Sequence, residues 1–141
     1  MKTFVLCLLL SLTSALSAAT DGMAGVWSGE YHYADKQGKD VRIHFSLISR
    51  HDPSSAHFTG HIQEPNVFGN QKDVVLEASI YGIVHDDASV EFVKIYDGHG
   101  DQSHSIWYSG KLSDDKKAIS GKWYVSDSWN GTFSLSYVDG Q

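Results

Sequence analysis

Residues 25–33 read Gly25-Val26-Trp27-Ser28-Gly29-Glu30-Tyr31-His32-Tyr33. The odd positions of this stretch carry three aromatic rings and a glycine, whereas the even positions after Val26 are polar. Successive side chains of a β-strand point to opposite faces of the sheet. The period of two therefore predicts a strand with one buried and one solvated face.

Seven further stretches alternate in the same way, and polar turns with glycine, proline or aspartate separate them. Their predicted inward positions are Val41, Ile43, Phe45 and Leu47; Phe58, Gly60 and Ile62; Leu76, Ala78, Ile80 and Gly82; Val90, Phe92, Lys94 and Tyr96; Ile106, Tyr108, Gly110 and Leu112; Ile119, Gly121, Trp123 and Val125; Phe133, Leu135 and Tyr137. A longer connection, Glu64 to Lys72, is predicted between the third and fourth strands. No segment has a helical period. Evenly spaced strands joined by turns predict an all-β sandwich or barrel, and the simplest topology is an antiparallel up-and-down eight-stranded β-barrel.

Glycines within the predicted strands favour the barrel over the sandwich. Gly29, Gly60, Gly82, Gly110 and Gly121 all fall on inward faces. A glycine inside a strand weakens it and marks a sharp bend or a close approach of two backbones. Small closed barrels need such bends. The five glycines are therefore interpreted as the positions where the strands bend to close a barrel.

Residues 1–19 have the features of a secretory signal peptide. Lys2 is the only charged residue before Asp21, an apolar run from Phe4 to Leu12 follows it, and small residues come next. Cleavage after Ser17 or after Ala19 fits this pattern. The alternative, an uncleaved anchor, is disfavoured because spanning a bilayer takes roughly 20 apolar residues. We therefore predict an exported, periplasmic or secreted protein whose residues 20–141 form a single barrel domain.

Charge and cysteine content exclude several classes of protein. The chain has a formal net charge of −6, with its lysines scattered, so nucleic acid or an anionic membrane is a disfavoured partner. Cys7 is the only cysteine and lies in the predicted signal peptide. A mature chain without cysteine cannot use thiol catalysis, and its fold must depend on the core alone rather than on disulfides.

The Gly25-x-Trp27 pair, placed on the first strand of an eight-stranded meander, resembles the calycin group of lipocalins and avidins. Two later stretches, Trp107-Tyr108-Ser109-Gly110 and Ile119-Ser120-Gly121-Lys122-Trp123, are similar to the late strands of avidins. The resemblance implies a calycin-like barrel whose lumen holds one small ligand. The second and third lipocalin motifs, a C-terminal helix and an avidin's biotin-contacting set have no counterpart in this sequence, so the resemblance implies no particular ligand.

The inward faces carry the candidate ligand-binding residues. They are Tyr31, Tyr33, Lys94, Tyr96, Tyr108 and Trp123. An aromatic lumen with several hydroxyl groups would stack against and hydrogen-bond a planar or sugar-like ligand; alternatively, these rings simply fill the barrel. Lys94 would serve an anionic group of a ligand or, with a pKa lowered by burial, a Schiff base. Its alternative is a position near the barrel mouth, with the ammonium reaching solvent.

Metal and catalytic sites have weaker support in the sequence. Asp97, His99, Asp101 and His104 share one glycine-rich loop and would suit a metal if they converged, but a solvated hairpin turn is the favoured interpretation. No nucleophile-elbow motif is present. We therefore predict no catalytic residue, no metal and no cofactor.

Two functional hypotheses follow. The first is an exported, non-catalytic β-barrel that binds a small hydrophobic or aromatic ligand in its lumen. The alternative is a protein-interaction module, either an inhibitor or an envelope-associated accessory protein, that acts through its loops. Exposed aromatics at Phe68, Trp107 and Trp129 would serve this second role. A calycin-type enzyme ranks third.

Overall fold

A computed structural model describes residues 22–33 and 41–139. The strands are β1 (Gly25–Tyr33), β2 (Val41–His51), β3 (His57–Pro65), β4 (Val75–Val84), β5 (Ser89–Tyr96), β6 (Ser105–Leu112), β7 (Ala118–Ser126) and β8 (Trp129–Tyr137). A short 3₁₀ turn, His99–Asp101, lies between β5 and β6. The predicted signal peptide at residues 1–19 lies outside the described residues. Among those residues, no helix is long and apolar enough to cross a membrane.

Each strand pairs antiparallel with the next, and β8 pairs with β1 to close the barrel. Trp27, for example, lies opposite Leu47 on β2 and opposite Tyr137 on β8. The predicted all-β, antiparallel, up-and-down eight-stranded barrel is confirmed. Because the hydrogen-bonded ladder is continuous around the wall, no strand of the barrel is an unpaired edge.

The predicted inward faces form the core. Phe92 stacks on Tyr108, with ring centroids 4.5 Å apart and an interplanar angle of 6°. Phe133 packs edge-on against both of these rings. The middle of the barrel is therefore filled with side chains.

Trp27 closes one end of the barrel. Its side chain is completely buried, and its indole N–H donates to the backbone carbonyl of Met23 at 3.0 Å. His51 accepts the backbone N–H of Met23 at 3.2 Å, and its other ring nitrogen lies 2.8 Å from the carbonyl oxygen of Ser55. Met23, just before β1, is thereby fixed beneath Trp27, and we call this the closed end.

Inward glycines allow the close packing that the sequence predicts for them. Gly110 and Gly121 are direct partners across β6 and β7. A Cβ atom on Gly121 would lie only 2.1 Å from the carbonyl oxygen of Ser109. At Gly29, the ring of Phe45 fills the space that a Cβ atom would need. Such positions accept glycine alone unless the wall moves.

One prediction about β3 is wrong. The sequence from Glu64 onward reads as a connecting loop, but β3 continues through Pro65 and pairs with β4 to its last residue. Proline cannot donate an N–H to the ladder, and Pro65 is the last residue of β3, beyond the point where the pairing of β3 with β2 ends at Gln63. The extra residues carry the inward alternation of Phe58 and Ile62 one step further and turn Glu64 into the barrel, where it is only 2% exposed.

Candidate ligand-binding site

A cavity of about 710 Å³ opens at the end of the barrel opposite Trp27. Its wall consists of strand ends and of the β3–β4, β5–β6 and β7–β8 connections. The lining residues are Tyr31, Tyr33, Val41, Ile43, Glu64, Pro65, Asn66, Val67, Phe68, Leu76, Tyr96, Gln102, His104, Ser128, Trp129 and Asn130. We call this the open end.

A buried ion pair forms the floor of the cavity. The ammonium of Lys94, on β5, lies 2.8 Å from Oε2 of Glu64 and donates to the hydroxyl of Tyr96 at 2.9 Å. The hydroxyl of Tyr31 donates to Oε1 of Glu64 at 3.1 Å, and the hydroxyl of Tyr96 donates to the same oxygen. We call these four residues the floor network.

Aromatic rings surround the ammonium of Lys94, which is completely buried. The Nζ atom lies 4.7 Å from the ring centroid of Tyr31, 4.6 Å from that of Tyr96 and 5.9 Å from that of Tyr108. These distances are within the range of cation–π attraction. Burial lowers the pKa of Lys94, and the charge of Glu64 opposes that shift. Lys94 therefore does not reach solvent. The interpretation that places its ammonium at the barrel mouth is wrong.

The phenols of the site are held in their protonated form. Burial raises the pKa of Tyr33 to about 12. Burial, with the charge of Glu64 acting in the same direction, raises the pKa values of Tyr31, Tyr96 and Tyr108 well above the usual range. These groups therefore act as neutral hydroxyls at any physiological pH. The hydroxyl of Tyr108 is buried and has no hydrogen-bond partner among the described residues.

Two groups of rings form the walls above the floor. In the first group, Tyr33 packs between Phe68 and Trp123, with ring-centroid distances of 5.1 and 4.7 Å. In the second group, the ring centroid of His104 lies 5.0 Å from that of Tyr96 and 5.1 Å from that of Trp129. Burial lowers the pKa of His104, and the charge of Lys94 adds to that shift. The cavity thus combines apolar walls with a charged floor.

The structure separates the six predicted site residues into two layers. Tyr31, Tyr33 and Tyr96 line the cavity. The other three, Lys94, Tyr108 and Trp123, are buried below or behind this lining. The indole N–H of Trp123, for instance, donates to the backbone carbonyl of His32 at 3.1 Å.

Sequence reasoning missed other cavity residues. The predicted ligand contacts do not include Glu64 and His104, and the sequence predicts Phe68 and Trp129 only as exposed aromatics. Both line the cavity, Phe68 from the β3–β4 loop and Trp129 from the first position of β8. One signal was available, because an up-and-down topology places every second connection at the same end of the barrel. Trp107, the third predicted exposed aromatic, lies instead on the outer wall of β6 and is 51% exposed.

Hydrogen bonds from Asp97 and Asn66 hold the glycine-rich loop after β5. The carboxylate of Asp97 accepts the backbone N–H of His99 at 2.9 Å and lies 2.9 Å from its ring nitrogen. The side-chain amide of Asn66 donates to the carbonyl of Gly100 at 3.2 Å and so connects this loop to the β3–β4 loop. Within residues 22–33 and 41–139, no group of three or more histidine, cysteine or acidic side chains is placed to hold a metal ion.

Comparisons with known proteins support the architecture alone. No family model matches the sequence, and no curated protein matches it either. Among solved structures, the chain is similar to a redesigned β-barrel, with a TM-score of 0.61 and 14% sequence identity, over 89% of this chain and 100% of that one. At that identity the likeness shows the barrel fold and carries no information about a ligand.

Proposed function

We propose that this chain is an exported, non-catalytic, calycin-like β-barrel that binds a small hydrophobic or aromatic molecule in the cavity at its open end. The observation that carries the proposal is the cavity of about 710 Å³, with aromatic walls over a polar floor. Ligand sites are typically clefts of roughly 300–1,000 Å³, lined mainly by apolar groups with a few placed polar ones.

The floor network supports a binding role. Burying an ion pair has a large desolvation penalty, and well-packed apolar side chains of similar volume often give equal or greater stability. The pair of Lys94 and Glu64 is therefore poorly explained by stability alone. Its position beneath the cavity, together with hydroxyls that stay protonated, suits recognition of a polar group on an otherwise apolar ligand.

The same network argues for binding rather than catalysis. The Lys94 ammonium and the Glu64 carboxylate are bonded to each other and to the hydroxyls of Tyr31 and Tyr96. A general acid or base must reach the proton that it transfers. The ammonium lies beneath the lining, and the carboxylate is already bonded to the ammonium and to both phenols, which favours holding a ligand over transferring its proton.

Two tryptophans provide a matched test of the proposal. Binding of a neutral aromatic fluorophore, such as N-phenylnaphthylamine, would be titrated for the parent, Trp129→Ala and Trp107→Ala proteins. We expect Trp129→Ala to weaken binding by up to about tenfold, since an aromatic pair contributes about 0.5–1.5 kcal/mol, and Trp107→Ala to leave binding unchanged. Phe68→Ala, on the β3–β4 loop, should weaken binding in the same direction as Trp129→Ala.

The proposal fails if the fluorophore does not bind, or if the substitution on the outer wall has the same effect as those in the cavity. Native mass spectrometry of the protein purified from its own host would identify a retained ligand directly.

A second candidate function rests on the outer wall. Tyr81, Val93, Trp107 and Tyr124 are successive partners across β4, β5, β6 and β7. The three aromatic members of this row are each about half exposed, which favours the alternative of a protein-interaction module. Cross-linking in the native envelope tests this alternative, because Trp107→Ser should abolish a specific adduct that Trp129→Ala leaves intact.

A further inference from the structure

We propose that the ligand carries a protonated amine and that Glu64, at the floor of the cavity, recognises it. This inference rests on the proposed function and adds a chemical class to it. Its basis is the orientation of the buried ion pair together with the hydrogen bonds that this pair already makes.

Of the two members of the ion pair, Glu64 is the one that contributes to the cavity lining. Glu64 belongs to the lining, whereas Lys94 lies beneath it and is completely buried. Within the described part of the lining, Glu64 is the only carboxylate, and no lysine or arginine is present. A group that enters from the open end therefore meets the carboxylate before the ammonium, and opposite charges attract more strongly where water is excluded.

Hydrogen-bond capacity indicates the same class of ligand. A carboxylate has about four acceptor positions. The described contacts of Glu64 use three of them, through Tyr31, Tyr96 and Lys94. The fourth acceptor position of the Glu64 carboxylate can accept a hydrogen bond from a donor on a ligand. A ligand carboxylate would find the nearby donors already directed at Glu64 and would face its charge.

The walls also suit a cation. Aromatic faces attract an ammonium through their quadrupole, and Trp129, Tyr33 and Tyr96 all contribute rings to the lining. His104 is the titratable nitrogen base of the described lining; burial lowers its pKa, so it adds little competing positive charge at neutral pH.

The test uses three ligands with one phenylethyl body, namely phenethylamine, phenethyl alcohol and hydrocinnamate. Each would be titrated into the folded protein at neutral pH by competition with the neutral fluorophore. A charge-assisted hydrogen bond plus cation–π contact predicts that the amine binds at least about tenfold more tightly than the carboxylate, with the alcohol between them.

A double variant, Glu64→Gln with Lys94→Met, removes both charges without leaving either one alone. Its fold would be checked by circular dichroism. We expect the preference for the amine to fall to within about twofold in this variant, since the charge-assisted bond is gone, and to persist in Trp107→Ala.

The outcomes separate the two proposals. If hydrocinnamate binds as tightly as the amine, if the double variant keeps the preference, or if none of the three ligands displaces the fluorophore, the amine inference is overturned while the proposed function stands. If the fluorophore itself does not bind, the proposed function fails, and the amine inference fails with it.

Discussion

Substituting Lys94→Met removes the ammonium from the floor network and leaves the Glu64 carboxylate among protein atoms. Both side chains are almost completely shielded from solvent, at 0% and 1% exposure. Removing one partner of a buried ion pair costs roughly 3–5 kcal/mol. Since Glu64 keeps the hydroxyls of Tyr31 and Tyr96 as donors, we expect a loss near the lower limit, about 3 kcal/mol.

Urea unfolding followed by circular dichroism measures this loss. With a urea dependence of roughly 1.5 kcal/mol per molar for a domain of this size, the midpoint should fall by about 2 M. The double variant Glu64→Gln with Lys94→Met should lie within about 1 kcal/mol of the parent or above it, because the unpaired charge is gone. As a matched control, Lys122→Met makes the same change at an exposed position of β7 and should shift stability by less than about 0.5 kcal/mol.

Two results would refute this reasoning. One is a Lys94→Met protein that unfolds at the midpoint of the parent, which would mean that Glu64 is not held as a charge in the folded state. The other is a double variant as unstable as the single one, which would mean that the pair stabilises the fold.

Three further predictions concern the wall and the titration of the site. Gly121→Ala places a methyl group 2.1 Å from the carbonyl oxygen of Ser109 and should cost about 3 kcal/mol or more, measured by urea unfolding; a loss below about 1 kcal/mol would show that β6 and β7 separate easily. Phenolate absorbance around pH 11 should report at most three of the seven tyrosines while the fold persists, and more than three would contradict the raised pKa values. The four tyrosines expected to stay protonated are Tyr31, Tyr33, Tyr96 and Tyr108. The folded state binds a proton at His104 less readily than the unfolded chain does, so stability should fall as the pH drops below about 6.5; His104→Gln should reduce that fall, and an unchanged pH profile would count against the lowered pKa.

The strands could be predicted from the sequence because alternation is a local signal. Each inward residue is two positions from the next, and burial enforces that period wherever one face of the sheet is dry. Closure of the barrel depends instead on a non-local contact, because the pairing of β8 with β1 joins residues more than 90 positions apart. The up-and-down topology made closure the simplest arrangement, and the structure bears it out.

The burial of Glu64 could not be predicted from the residues around it in the sequence. A glutamate followed by a proline normally marks the beginning of a loop, because charge is costly to bury and proline lacks an N–H to donate. Its partner, Lys94, is 30 residues away. The attraction that makes burial of either charge tolerable exists only after β3 and β5 have taken their places in the wall, so no pattern within either strand could reveal it.

Both ends of the described chain lie at the closed end of the barrel. Gly22 packs against His51, and the N–H of Val138 donates to the carbonyl of Val26. A tether attached through either end would therefore hold the barrel by its base, with the cavity facing away from the attachment point. A tag fused directly at residue 139 would leave the cavity on the side away from the tag, and linking residue 139 back to residue 22 would place the new joint on the side opposite the cavity.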